Sequence, residues 1–514
     1  MKRDPASPGH GPRLAGFAVP LFSLRSRRGG AIGEIDDLVP LCEWAADAGH
    51  RVIALLPLGE LGPGEASPYN ALSSFAIDPL YLTPATIEEL RGDSIPAGPD
   101  STGVVDRERA RAWKQPLFDE AVRRFRALAA RHDRRRCFDD FRGRAPWLAD
   151  YALFRALFEE HAGRSWRQWP EALRRRDSRA LGAARRRLAA RILAFEYLQF
   201  AAAEAWSRVR RAADARGVRL MGDLPFAPSE NSADVWANRS IFDLSRSVGA
   251  PPDAFSASGQ RWGLPMYRWA VMRRQGWPWL RRRVRRMAEL YDLFRVDHVV
   301  GLFRTFHFFG DVPNGFDPPG ESAQIAQGRE ILRWMIDEGK PAQVVAEDLG
   351  VVPEFVTAAL AALDVPGYKV LRWVRQGDRF VDPASYPECS IATTGTHDTD
   401  SLVEWWGGLP PPPRRALLDL LPVRDGDGAE LSPEVRRAIL GRLYASPSRM
   451  VILPVQDLFG WPQRINTPAT IGDDNWRFRL PVEVERLGSD ERIAAESAAL
   501  RALIDAAGRL RRMG

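Results

Sequence analysis

The stretch LFRVDHVVG, Leu293 to Gly301, decides how this chain is read. It begins as an apolar run of strand length and places Arg295, Asp297 and His298 where that run ends. A short hydrophobic run marks a strand buried on both faces of a parallel sheet. Charged groups at its carboxyl end belong to the rim, where parallel barrels carry their chemistry. Two later stretches repeat the layout: VVAEDLG, Val344 to Gly350, and IATTGTHDTD, Ile391 to Asp400. Together the three deliver Asp297, Glu347 and Asp398, with Arg295 and two histidines, His298 and His397. Such a set suits a sugar cation, because glycoside chemistry needs one carboxylic acid at the leaving oxygen and a carboxylate across the ring. Taken alone, a strand-end aspartate is more often a cap or turn residue. Repetition of the layout in a chain of barrel length shifts the reading to catalysis.

The chain has 514 residues, ample for a barrel with insertions. Apolar residues at 45% and charged residues at 27% are ordinary globular values. No apolar run approaches the roughly 18 residues of a membrane span, and the start MKRDPASPGHGPRLAG lacks a signal-peptide apolar region. Three widely spaced cysteines, Cys42, Cys137 and Cys389, have no metal-ligand spacing. A reducing cytoplasm is the expected compartment. The net charge of +7 raises a nucleic-acid reading. Lysine stands only at 2, 114, 340 and 369, however, so 69 of the 73 basic residues are arginine. Many lie on helix-like segments such as RRRDSRALGAARRRLAARIL, mixed with Ala and Leu, which reads as solvated helical surface. No nucleic-acid-binding motif accompanies them. The 17 tryptophans fit sugar rings better, although most buried Trp is core.

In chain order, GFAVPLF (Gly16 to Phe22) reads as strand one and Ile35 to Ala48 as a helix. VIALLPLGE (Val52 to Glu60) reads as strand two. ASPYNALSSFAIDPLYL is a site-lining loop, and Gln115 to Arg216 is helical. Strands three to eight are expected at VRLMGDLPF, LFRVDH, VVAEDLG, GYKVLRW, IATTGTHDT and VILPVQDLFG. In the rim loop after strand three, Pro251, Pro252, Gly259 and Gly263 are expected to exclude regular structure. A final helix is expected from about Asp490 to Met513. The fold class is therefore α/β, a (β/α)8 TIM barrel interrupted by largely helical insertions. The expected division is barrel start 1–58, loop and helical insertion 59–216, barrel core 217–400 with an active-site loop 249–267, small insertion 401–448, and barrel end 449–514.

Eight ordered blocks now carry a resemblance: LLPLGE…SPYNALSSFAIDPL, WLADYALFRAL, GDLPFAPSENSADVWAN, PPDAFSASGQRWGLPMYRW, FRVDHVVGLFR, AEDLG, GTHDTDS and NWRFRLP. From about residue 15 to 482 the chain resembles the amylomaltases, the 4-alpha-glucanotransferases of the α-amylase superfamily. The resemblance implies a retaining double displacement on α-1,4-glucans. Asp297 matches the nucleophile, Glu347 the acid and base, and Asp398 the carboxylate that favours the cationic transition state. Tyr69 would stack on the sugar; Asp223, Trp262, Arg295 and His397 would hold its hydroxyls; Asn475 would line the acceptor side. The partners implied are an α-1,4-glucan donor and a glucose or maltooligosaccharide acceptor, with no nucleic acid, membrane, cofactor or metal. Arg295 should favour the ionised Asp297, and burial should raise the Glu347 pKa.

The sequence departs from the family at Ala254 and Leu264, where Tyr and Asn are usual, at LGPGEA before SPY, and at Arg372-Trp373. These belong to acceptor or secondary glucan positions, and all three carboxylates are kept. Two alternatives remain: a hydrolase of the same fold, told apart by glucose accumulating without longer chains, and a non-catalytic glucan-binding protein.

Overall fold

The computed structural model describes residues 12–99, 103–252, 258–377, 379–423, 428–468, 470, 472 and 474–510. Eight parallel strands form one sheet: β1 (Leu14–Ala18), β2 (Val52–Ala54), β3 (Arg219–Leu224), β6 (Leu293–Val296), β9 (Gln343–Ala346), β10 (Gly367–Val370), β13 (Ser390–Thr393) and β14 (Met450–Pro454). Their order is β10-β13-β14-β1-β2-β3-β6-β9. The sheet closes where Ala346 N–H donates to the Pro366 carbonyl at 2.9 Å, joining β9 to the start of β10. The molecule is a TIM barrel.

Alternation along the strands explains both core and rim. Leu14, Val52, Met221, Leu293, Val345, Ile391, Met450 and Ile452 meet in one buried cluster inside the barrel, so it is filled rather than hollow. Two residues further along β3 and β6, the same inward direction carries Asp223 and Arg295, which are register partners. Between them the outward residues Gly222 and Phe294 face the helical layer. A Cβ at Gly222 would lie 2.2 Å from the Tyr291 ring, so glycine is what lets that ring pack on the strand.

Between β2 and β3 the chain makes the helical excursion the sequence anticipates. Helices span Arg107–Ala127, Asp133–Arg144, Leu148–Glu160, Ser178–Arg187 and Ala189–Ala215. The last two meet the Leu148–Glu160 helix through apolar positions such as Leu153, Phe154, Leu157 and Leu198, all buried. No helix among the described residues is long and apolar enough to cross a membrane.

Four expectations change. Strand one is Leu14–Ala18, not Gly16 to Phe22, because Pro20 interrupts it and Leu21–Ser23 form a 3-10 turn. Strand two stops at Ala54, and the chain to Glu60 runs as a loop with one bridge from Gly59 to Ile77. Strand eight ends at Pro454, after which Val455–Phe459 is helical. The last helix is Glu491–Ala506, capped by Asp490 and ended before Gly508, which turns at φ 66°.

The rim loop holds the largest correction. β4 (Phe242–Ala250) and β5 (Gln260–Tyr267) pair antiparallel, and β7 (Thr305–Phe309) with β8 (Val312–Asp317) extends them to a four-stranded sheet. Pro251 and Pro252 fall just beyond β4 rather than inside it. A register shift lies between Val248 and Gly249, and Gly263, at φ 71°, absorbs it opposite on β5. Ala254 lies outside the described residues. A two-stranded ribbon, β11 (Arg375–Gln376) with β12 (Arg379–Phe380), follows β10, and Leu402–Gly408, Pro411–Leu418 and Pro433–Tyr444 are helices.

Candidate active site

Arg295 stands at the centre of the rim. From the carboxyl end of β6, its Nη1 lies 2.7 Å from Asp223 Oδ2 and 3.0 Å from Asp297 Oδ1. Its Nη2 lies 3.9 Å from Glu347 Oε2. One guanidinium thus contacts carboxylates delivered by β3, β6 and β9. Burial opposes its charge, but Asp223 and Asp297 raise its pKa well above the ordinary arginine range.

The carboxylates divide by environment. Glu347 is pushed up to about 7, chiefly by burial, with Arg295 opposing and Asp297 adding to the rise. That direction agrees with the sequence argument. Glu347 accepts from His298 N–H at 2.7 Å and Leu349 N–H at 3.0 Å, so its orientation is fixed by backbone. Asp297 Oδ2 accepts from Phe226 N–H at 3.3 Å. Asp223 is also raised, by burial first, while Arg295 opposes. Asp398 goes the other way: burial works against its charge, but His397, with help from Asn466, brings it down to about 2. The cluster therefore holds a carboxyl that gains a proton near neutrality beside one that stays ionised, the division acid–base chemistry requires.

Tyr69, from the SPYNAL loop, donates its hydroxyl to Asp223 Oδ2 at 2.6 Å. Burial, followed by Asp223, raises the phenol well above its usual range, so it remains a donor. Its ring stacks on His397 with centroids 5.3 Å apart. His397 Nε2 lies 3.2 Å from Asp398 Oδ2; burial opposes its protonation, yet Asp398 raises its pKa. Trp262, half-buried on β5, meets the His298 ring edge-on at 4.9 Å. His298 adopts a left-handed backbone, φ 47°. Burial pushes its pKa down to about 4, against the pull of Asp297, so the ring is neutral. His307 lies apart on β7, its Nε2 2.9 Å from Arg246 Nη1.

Seven of the expected residues thus form one contact network: Tyr69, Asp223, Arg295, Asp297, Glu347, His397 and Asp398. Trp262 joins through His298. Asn475 turns inward on its own loop, its Oδ1 accepting from Thr467 N–H at 2.8 Å and its Nδ2 donating to Thr470 Oγ1 at 3.0 Å. Sequence reasoning missed two groups. Asn466 Nδ2 donates to Asp398 Oδ1 at 2.6 Å. Arg464 pairs with Asp400 and donates to the Asp398 carbonyl at 3.2 Å. Both stand in QRINTP after strand eight, whose only local signal is polarity following an apolar strand.

A cavity continues below the cluster, lined by Asp223, Arg295, Tyr368, His397, Leu56 and Ile465. A larger cavity on the helical insertion, lined by Phe141, Phe200, Arg208 and Arg211, includes none of the rim carboxylates. Among the described residues no group of three or more His, Cys, Asp or Glu side chains is arranged to hold a metal ion.

Comparison with known proteins identifies the family. A family model described as 4-alpha-glucanotransferase matches residues 19–484. The 4-alpha-glucanotransferase of Thermus thermophilus is 34% identical over 486 residues, covering 91% of this chain and 95% of its own. That of Chlamydia pneumoniae is 31% identical over 496 residues, covering 92% of each chain. Among solved structures, the amylomaltase of Streptococcus agalactiae in complex with acarbose superposes with a TM-score of 0.83 at 25% identity, covering 97% of this chain and 99% of that one. With a family model spanning most of its length and relatives this similar end to end, the chain belongs to the 4-alpha-glucanotransferase family and is an enzyme that transfers α-glucan segments.

Proposed function

We propose that the transfer is a retaining double displacement centred on Asp297 and Glu347. Asp297 attacks the anomeric carbon of the donor as its bond to the departing oxygen breaks. Glu347 gives that oxygen its proton. The leaving chain departs with a new hydroxyl, and a glycosyl ester remains on Asp297. The 4-hydroxyl of an acceptor glucan then attacks the same carbon, Glu347 takes its proton, and the Asp297 carboxylate is released. The observation that carries this reading is Arg295 in contact with Asp297 while the neighbouring Glu347 is raised to about 7. The first must be ionised and the second protonated when the donor binds.

Asp398, held ionised, faces the developing cation, with Asp223, Trp262, Arg295 and His397 on sugar hydroxyls and Tyr69 stacked against the ring. Asn475 lines the acceptor side through the loop it braces. The donor is an α-1,4-glucan, the acceptor glucose or a maltooligosaccharide, and the compartment the cytoplasm. The paired strands β4 and β5 on the rim exclude water, so that sugar rather than water accepts. Residues 59–216 and 401–448 act as insertions that wall the cleft.

The test is to trap the intermediate. Glu347→Gln is incubated with an activated α-glucosyl fluoride, which needs no acid to depart, and digested for mass spectrometry. One hexosyl unit on the peptide containing Asp297 supports the proposal; an unmodified peptide with steady fluoride release overturns it.

A further inference from the structure

Five large hydrophobic residues are exposed among the described residues: Val104, Phe309, Val312, Val351 and Trp373. Four of them follow the carboxyl ends of β6, β9 and β10. Those strands are consecutive around the barrel, β6 paired with β9 and β9 bridged to the start of β10. Exposed apolar side chains are thus gathered on one arc of the rim, the arc that carries Asp297 and Glu347.

The outermost pair sits on the β7–β8 hairpin. Phe309 and Val312 are opposite each other in the register, so both side chains leave the same face. They are 61% and 66% exposed. The turn between them is Gly310-Asp311, with Gly310 at φ 58°. Below, Phe306 meets Phe308 at 5.5 Å and Phe316 at 5.1 Å, both edge-on, which makes the hairpin a rigid support. Polar groups frame the exposed ring. Arg246 lies across the ladder from Phe309, and Arg261 reaches Asp311 at 3.6 Å. The same sheet runs back to the cleft through β5, whose Trp262 touches His298.

We propose that Phe309 and Val312 form an outer platform that binds an α-1,4-glucan chain away from the point of cleavage and favours long chains over short ones. This rests on the reading of the rim as the transfer site. A flat apolar face rimmed by hydrogen-bonding charges matches a sugar ring, with apolar C–H faces and hydroxyl edges. Two side chains are far too small for a stable protein interface, which buries about 800 Å² on each partner. Strand addition by another chain is disfavoured as well, because the edge strand β8 contains Pro313 and Gly315.

The experiment compares wild type, Phe309→Ser and Phe309→Tyr on maltotriose and on long-chain amylose. The platform predicts that Phe309→Ser raises KM for amylose about fivefold, a loss typical of one aromatic contact, while maltotriose kinetics stay within about twofold. Phe309→Tyr restores the wild-type value. Retardation in amylose-containing native gels, measured in an Asp297→Asn background, should weaken in parallel. Unchanged amylose kinetics and mobility in Phe309→Ser overturn the platform alone, as does an equal loss on both substrates. Failure of wild type to lengthen maltotriose removes instead the reading of the rim on which the platform rests.

Discussion

Asn466 donates through Nδ2 to Asp398 Oδ1 at 2.6 Å, tying the loop after β14 to the turn after β13. The same loop is bound a second time, since Asn466 N–H donates to the His397 carbonyl at 3.1 Å. Together with His397, Asn466 keeps the Asp398 carboxylate ionised and aimed. Removal of the amide in Asn466→Ala should therefore lower kcat about tenfold to a hundredfold, with a smaller change in KM. Asn466→Asp should be worse, because it sets a like charge against Asp398. Steady-state kinetics on maltotriose check both; an unaltered kcat in the alanine variant would show that His397 alone suffices.

Glu347 couples activity and stability to pH. Its carboxyl titrates near 7 in the fold against an ordinary value of 4.5. The folded protein thus holds this proton where the unfolded chain has lost it. That contribution is complete below the ordinary glutamate range and disappears as pH rises toward about 7. Glu347→Gln removes the buried charge, so at about pH 8 the variant should be more stable than wild type by on the order of 2 kcal/mol, with no difference at about pH 4. Denaturant titrations at the two pH values measure this. In the same variant the alkaline limb of kcat/KM, expected near 7 in wild type, should vanish along with most of the activity.

The Tyr69 hydroxyl fills one acceptor position of Asp223 while Arg295 fills others. Tyr69→Phe leaves a buried carboxylate one donor short, so kcat/KM should fall about tenfold. Asp223→Asn should cost more, because it strips the buried Arg295 of its closest counter-charge. Equal losses in the two variants would contradict this ranking.

Between β1 and β2, Gly16 packs its backbone onto Val52. A Cβ there would lie 2.5 Å from the Val52 carbonyl oxygen and 2.7 Å from Val52 Cβ, neither of which can move without displacing β2. Gly16→Ala should destabilise the fold by about 1–3 kcal/mol, seen as a lower Tm with the site chemistry otherwise intact.

What the sequence discloses depends on how local the cause is. LFRVDHVVG, VVAEDLG and IATTGTHDTD are legible because strands buried on both faces must be apolar, and the polar residues that end them must sit on the rim. The helical excursion is legible from three- and four-residue apolar spacing. Strand ends are misplaced at Pro20, Pro57 and Pro454, where the apolar run continues but the chain has already turned. The β4-β5-β7-β8 sheet leaves no period-two pattern, since bulges at Gly249 and Gly263 shift its register and Pro313 and Gly315 interrupt its edge. A Cβ at Gly249 would lie 2.6 Å from the Phe308 ring, so glycine there lets β4 pack against β7. Asn466 is invisible for a different reason: it is one amide in a polar stretch, and its partner lies 68 residues earlier. The raised carboxyl of Glu347 is foreseeable in direction, whereas its extent depends on how completely the fold buries it.

The most direct measurement follows the products of maltotriose incubated with purified wild type and with Asp297→Asn. A transferase working through Asp297 predicts glucose, maltopentaose and a ladder of longer chains from wild type, with a loss on the order of 10⁴-fold in the variant. Glucose and maltose without longer chains would mean that water accepts the glycosyl group. An undiminished ladder from Asp297→Asn would contradict the central claim, that this carboxylate carries the sugar between donor and acceptor.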